Sequence, residues 1–274
     1  MSKCEVIAIT NQKGGVGKTT TTFSLGVALA HAGKKVLVVD ADPQGDLTTY
    51  MGWYEQDNIQ NTLATLMEDV INDKDISIDD TILHHKEGID LIPGNLDLSA
   101  TEVALVNAMS REFTIRNVLT NIKEQYDYIL IDCMPSLGML TINALACSDK
   151  VIIPVQSQFL AAKGMGHLIK TVSRVRKTIN PNLKIGGILL TLVDKRTNLS
   201  KDIKNELQET YGSIINIYDT QIPIAIKTAE STSKGKSILE YDKNSTVSKA
   251  YKEFAKEVLD NDREKIKDAT SKVR

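Results

Sequence analysis

Three cysteines are all the sequence has, and Cys4, Cys133 and Cys147 lie far apart with no C-x-x-C pair. That spacing offers neither a disulfide framework nor a zinc site. A surplus of one charge is lacking too. The net charge is −2, from 33 basic and 35 acidic residues, so no global positive field draws the chain to nucleic acid. Any such contact must come from a local patch. No apolar run reaches the roughly 18 residues of a membrane span. The first apolar strand begins almost at once, which leaves no room for a signal peptide. These absences predict a cytoplasmic, reducing setting. Internal repeats, low-complexity linkers and a convincing domain boundary are missing as well. With 274 residues, 42% hydrophobic and 25% charged, the chain reads as one globular domain over 1–274 that carries a charged tail at 260–274.

What is present is concentrated in Asn11-Gln12-Lys13-Gly14-Gly15-Val16-Gly17-Lys18-Thr19-Thr20. Val6 to Thr10 ahead of it is the apolar, β-branched run of a buried strand. Thr19 to Ala32 behind it carries Phe23, Val27 and Ala30 at helical spacing and stops at Gly33. Strand, glycine loop and helix together make a phosphate-binding loop. Gly14, Gly15 and Gly17 let successive N–H groups around Val16 curl toward an anion, and the helix N-terminus adds partial positive charge. Lys18 then reaches the β- and γ-phosphates of a nucleotide, and the Thr19 hydroxyl ligates Mg²⁺. Thr20 completes the binding run.

Further apolar strands are predicted at 36–40, 126–132, 151–155 and 185–192, with a short strand closed by a turn at 88–94 and another short one at 214–217. Helices are predicted near 59–70, 99–109, 111–125, 163–179 (with a basic outer face) and 247–259. The acidic stretch 72–80 reads as an exposed connection. Alternating strands and helices give an α/β fold, a doubly wound and mainly parallel sheet with helices on both faces. Three aspartates end strands: Asp132, placed like a metal-binding acid, and Asp40 and Asp42, two apart and so on one face. One of that pair could simply cap the segment that follows.

The loop departs from the common G-x-x-x-x-G-K-[ST] pattern. Gln12 stands at the first glycine, and Lys13 adds a second lysine. It resembles the deviant K-G-G-x-G-K-[ST] loop of the ParA/MinD group of ATPases. Asp40-x-Asp42-Pro43-Gln44-Gly45 resembles that group's switch I. Ile131-Asp132-Cys133-Met134-Pro135-Ser136 resembles its Walker B and switch II run, with Met134 in place of the first proline. The resemblance covers nearly the whole chain and is closest to the small Soj-like partition proteins, which lack an N-terminal helix-turn-helix domain. It implies a P-loop ATPase using ATP and Mg²⁺. In it Lys13 reaches across a homodimer to the partner's nucleotide, Asp42 orients the attacking water, and Asp40 and Asp132 support the metal.

Other branches of the group fit less well. Residues 260–274 offer only Ile266, Ala269 and Val273, too little apolar surface for a membrane-anchoring helix. The cysteines do not match a shared iron–sulfur cluster. For the partition branch, Arg196 falls in the D-x-R-T run, and Lys227 matches the second arginine of an I-P-R-N-V-R run that places Pro223 beside the base. Ile224 and Ala225 replace the first arginine and the asparagine. Lys195, Arg196, Lys201, Lys204, Lys227, Lys234 and Lys236 are therefore candidate contacts to nonspecific double-stranded DNA when clustered on one face and doubled by dimerisation, although each lysine alone reads first as a solvated charge. The implied partner is a ParB-type centromere-binding protein, and the implied location is the nucleoid. A positioning ATPase for a protein cargo, or a metabolic ATPase on the same fold, remains open at this point.

Overall fold

The computed structural model describes the backbone of residues 4–157, 161–194, 196–197 and 199–271, and side chains throughout these except at 161–164, 199 and 262–271. In chain order, β1 (Glu5–Ile9), α1 (Lys18–His31), β2 (Val36–Ala41) and α2 (Asp46–Tyr50) come first. Next are α3 (Leu63–Ile71), β3 (Leu83–His85), β4 (Ile89–Ile92), α4 (Leu98–Ala104) and α5 (Thr114–Leu119). The second half holds β5 (Tyr128–Cys133), α6 (Met139–Cys147), β6 (Lys150–Gln156), α7 (Ala161–Thr178), β7 (Lys184–Val193) and α8 (Leu199–Tyr211). It closes with β8 (Ile217–Pro223), α9 (Ile226–Thr232), α10 (Ile238–Tyr241) and α11 (Thr246–Ser271).

All eight strands join one sheet in the order β3-β4-β2-β5-β1-β6-β7-β8. Every pairing is parallel except β3 with β4. This is the doubly wound α/β architecture expected. The strands are apolar on both sides because both sides are covered. Val6 and Ala8 of β1, with Val39 of β2 and Ile131 of β5, pack among α3, α5, α6 and α7. Their alternates Ile7, Ile9, Val38 and Leu130 pack against α1, α10 and α11. In the same alternation Asp40 and Asp132, register partners on β2 and β5, point to the α1 side.

The structure differs from the sequence reading in several places. The strand expected at 214–217 begins only at Ile217 and runs to Pro223. Ile214 is 73% exposed, held with Ile215 in a turn on the Tyr211 carbonyl at the end of α8. The helices expected at 99–109 and 111–125 are shorter and broken by 3₁₀ turns at 105–107, 111–113 and 123–125. The tail expected from residue 260 continues α11 as helix to Ser271. β3, α2, α6, α8, α9 and α10 were not foreseen.

Candidate functional site

β1, the central strand between β5 and β6, delivers the glycine loop to the C-terminal end of the sheet, where open α/β folds place their ligands. Gly15 (φ 71°) and Gly17 (φ 81°) are both left-handed, a conformation that glycine adopts without penalty. The loop is pinned from three sides. Asn11 donates from Nδ2 to the Pro154 carbonyl at 2.7 Å and accepts the Lys13 N–H at 3.0 Å. Thr191 of β7 donates from Oγ1 to the Val16 carbonyl at 2.7 Å. Thr21 closes the first helical bond onto Gly17 at 2.9 Å. Lys13, Gly14 and Gly15 lie exposed at the loop's crest, while Lys18 is buried beneath it. A methyl group added at Gly14 or Gly15 would meet nothing within 4 Å, so the crest borders open space of the kind a phosphate needs.

Below the loop lies Asp132, 1% exposed. Its Oδ1 accepts from Thr22 Oγ1 at 3.4 Å, and the Thr19 hydroxyl also bonds to this carboxylate. Its Oδ2 is buried with no partner among the described residues. Burial holds this carboxyl well above the usual range, and the charge of Asp40 adds to the effect. The Thr19 bond and the Lys18 charge pull the other way. An orphaned, desolvated oxygen beside a hydroxyl on the first turn of a helix suits a hard divalent cation. Among the described residues no three His, Cys, Asp or Glu side chains gather into a metal cage. That fits Mg²⁺, which takes one or two carboxylates and draws its remaining ligands from phosphates and water.

Asp40 and Asp42 part ways. Asp40 is fully buried, and its Oδ2 accepts from both the N–H and the hydroxyl of Thr48, at 2.8 and 2.7 Å. Its Oδ1 accepts the Asp42 N–H at 3.3 Å. Burial raises its carboxyl to about 7 even against these three bonds. Gly94 stacks on the same group: a Cβ there would sit 2.5 Å from the Asp40 carbonyl oxygen. Asp40 therefore fastens α2 and the end of β4 to β2. Asp42, just past the end of β2 and 8% exposed, accepts the Gln44 N–H at 3.0 Å. Of the two, it is the carboxylate with capacity left for a water molecule.

Sequence reasoning gave no role to Thr22, Thr48, Thr191 or Asn11. The one signal that could have flagged Thr22 is its spacing, four residues after Lys18 and so on the same helix face. Thr48 and Thr191 act through contacts that only the fold creates, as does Asn11 in its bond to Pro154. Pro223 ends β8 beside Val193, and the Ile224 N–H bonds to the Val193 carbonyl at 3.1 Å, so the β7 and β8 ends form a shelf next to the loop.

Among the described residues the candidate DNA cations do not all lie at one margin of the sheet. Lys195 lies outside the described residues. Arg196 and Lys201 are exposed at the start of α8, beside the β8 edge of the sheet. Arg196 is turned onto Asp194 through two bonds of 2.9 and 2.7 Å, which hold the Asp194 carboxyl down at about 2. Lys204 contacts Asp219 at 3.6 Å, and Lys227 pairs with Asp242 at 2.6 Å. Lys234 and Lys236 flank Gly235, whose segment packs on Gly52 and Tyr54 and meets His85 of β3, the opposite edge strand.

Fold and loop define a P-loop nucleotide-binding protein, and comparison with known proteins narrows this. Residues 4–185 match the family model described as an AAA domain. The sporulation initiation inhibitor protein Soj of Bacillus subtilis is 43% identical over 257 residues, 94% of this chain and 99% of that protein. The chromosome partitioning protein ParA of Caulobacter vibrioides is 40% identical over 263 residues, 95% and 96% of the two chains. Among solved structures, cobyrinic acid a,c-diamide synthase from Mycobacterium smegmatis with bound ADP and magnesium superposes with a TM-score of 0.81 at 34% identity, covering 93% of this chain and 94% of that one. The chain belongs to the Soj/ParA family of P-loop ATPases.

Proposed function

We propose that this chain hydrolyses ATP as a nucleotide-timed dimer switch that binds nonspecific DNA, and that it serves to partition DNA with a ParB-type partner. The observation that carries the reading is the loop itself: left-handed Gly15 and Gly17 over a buried Lys18, with the unpaired oxygen of Asp132 directly below. Loop N–H groups and Lys18 would hold the phosphates, and Thr19 and Asp132 would hold Mg²⁺, which supplies charge neutralisation when bound. Asp42 would orient the attacking water. Lys13, exposed at the crest, is placed where a second subunit closing on this face could receive its charge, in the manner of an arginine finger supplied in trans. The relatives called Soj and ParA support partition as the setting, and the solved neighbour with ADP and magnesium supports the ligands. One domain over 1–274 is part of the same proposal.

The test is mass in solution by light scattering with Mg²⁺ and ATP, ADP or no nucleotide, alongside ATP turnover. A dimer with ATP alone, and slow turnover, is expected. A constant mass in all three states would overturn the switch. A metabolic reading has one observation in its favour. A cleft of about 680 Å³ opens along β8 between α8 and α11, lined by Ser200, Lys201, Thr220, Gln221, Thr246 and Lys249 among others. On that reading the cleft takes a second substrate, and DNA binding does not depend on ATP.

A further inference from the structure

Among the described residues a single hydrogen bond ties the stretch from Gly14 to Gly17 to another element of the sheet. It is the Thr191 hydroxyl on the Val16 carbonyl, and its two ends lie 175 residues apart in sequence. Thr191 ends the pairing of β7 with β6, and β6 separates β7 from β1. The loop therefore reaches across one whole strand to meet it. Thr191 is 1% exposed, and a Cβ built on Gly17 would sit 3.9 Å from its own.

The β7 backbone is bent at this point. Leu192 has a φ of 51°, and of the three left-handed residues other than glycine among those described it is the one within a strand. The pairing of β7 with β8 shifts register between Leu190 and Val193, across the same residue. A left-handed leucine persists only where its surroundings enforce it. Here both flanks are held: the Thr191 carbonyl accepts the Ser157 N–H at 3.3 Å, and the Val193 carbonyl accepts the Ile224 N–H at 3.1 Å.

What this does to the loop follows from peptide geometry. No described peptide bond is cis, and in a trans peptide the carbonyl and the following N–H point in opposite directions. Holding the Val16 carbonyl toward β7 turns the Gly17 N–H the other way, and no described group accepts it.

We propose that Thr191 is a positioning residue for nucleotide binding: its hydroxyl, aimed by the left-handed Leu192, fixes the Val16–Gly17 peptide so that the Gly17 N–H is preset to donate to a phosphate oxygen. Without that bond the glycine-rich peptide turns more freely, and the ligand has to order it on binding, which lowers affinity. The phosphate part rests on the nucleotide reading above, whereas the hold on the Val16 carbonyl does not.

The experiment uses the full chain. Of its sixteen glycines Gly17 alone follows a valine, so ¹³C at valine carbonyls with ¹⁵N in glycine gives one carbonyl-to-amide NMR correlation, that of the Val16–Gly17 peptide. It is recorded for the native chain, Thr191→Val and Thr191→Ser, each without nucleotide and with Mg²⁺ and ADP. Titration with a fluorescent ADP analogue reads affinity, and circular dichroism shows that each variant is folded. Thr191→Val should move the Val16 carbonyl signal upfield in the nucleotide-free chain and weaken ADP about tenfold, the scale of one charge-assisted hydrogen bond. Thr191→Ser keeps the hydroxyl and should keep the native signal, with affinity within about twofold. ADP should move the Gly17 amide proton downfield in the native chain and in Thr191→Ser, and less in Thr191→Val. Leu192→Val leaves the hydroxyl in place but disfavours the left-handed turn, so it should move the carbonyl signal in the same direction as Thr191→Val. An unmoved carbonyl signal in Thr191→Val, or native ADP affinity there, would overturn the proposal. So would an affinity loss that Thr191→Ser shares, which would place the effect in packing rather than in the hydroxyl. An unmoved signal in Leu192→Val would remove Leu192 from the proposal. A Gly17 amide that ADP leaves unmoved in the native chain, while the carbonyl still answers to Thr191→Val, would overturn the nucleotide reading and leave the hold on the loop standing.

Discussion

Two carboxylates, Asp40 and Asp42, stand two residues apart in sequence and do different work. Asp42 keeps its oxygens largely uncommitted near the loop, whereas Asp40 spends both of its own on Thr48 and the Asp42 N–H. Asp42→Ala should therefore leave ATP affinity within about twofold and abolish turnover, since a residue that orients water acts on the transition state. Equilibrium titration with a fluorescent ATP analogue checks the first part and single-turnover hydrolysis the second. Lost nucleotide affinity would remove Asp42 from that role. Thr48→Val should instead cost roughly 1–3 kcal/mol in urea unfolding, because the buried Asp40 carboxylate loses its hydroxyl donor and the buried Gly94 N–H loses its acceptor. The places of Lys18 and Thr19 were legible in the sequence because strand, loop and helix are contiguous, and that of Asp132 because it ends an apolar run. The surroundings of Asp40 were not. Which of two acids turns inward depends on Thr48, eight residues on, and on the approach of Gly94, which no local pattern encodes. The thiols follow simpler physics. Burial raises Cys4 to about 11 and Cys147 to about 12, and pushes Cys133 higher still. A thiol whose folded pKa lies above its unfolded value of 9.0 favours the fold below that value and disfavours it as pH rises toward the folded one. Thermal unfolding should accordingly be insensitive to these groups at neutral pH and fall in midpoint above about pH 9, and Cys4→Ala should blunt part of that fall.

At the scale of elements, β1, β2, β5, β6 and β7 were readable because both faces are buried and the apolar runs are nearly unbroken. β8 was not, because it is an edge strand whose Asp219-Thr220-Gln221 stretch carries no apolar alternation. Its exposed edge is managed by α11. The Glu257 carboxylate accepts the Asp219 N–H at 3.0 Å and the Thr220 N–H at 2.8 Å, and the Thr220 hydroxyl bonds to it as well. An unprotected edge invites pairing with another chain. Glu257→Ala should lower stability by roughly 1–3 kcal/mol, the scale of stranded backbone donors, and raise aggregation on heating. Chemical denaturation with light scattering reads both, and an unchanged aggregation onset would deny the clamp that protective role. α8 and α9 escaped the sequence reading for a related reason. The described exposed residues of α8 are polar or small, so Ile203 and Leu207 alone report its buried side, and in α9 the one buried residue is Ser231 while Ile226 is exposed.

Across the whole molecule, everything assigned to nucleotide chemistry gathers at the C-terminal ends of β1, β2 and β5, near the middle of the sheet. The candidate DNA cations sit toward its two margins, Arg196 and Lys201 by β8 and Lys234 and Lys236 by β3. Arg196 and Lys227 are also occupied by Asp194 and Asp242. One subunit thus offers scattered charge, too sparse to neutralise many phosphates. A dimer doubles each cluster, and this is why the account ties DNA affinity to ATP. The measurement that tests this most directly is binding to nonspecific duplex DNA with ATP, ADP or no nucleotide, at low and at physiological salt. Binding with ATP alone, weakened steeply as salt rises, is expected. Binding of equal strength in all three nucleotide states, or none in any, would contradict it.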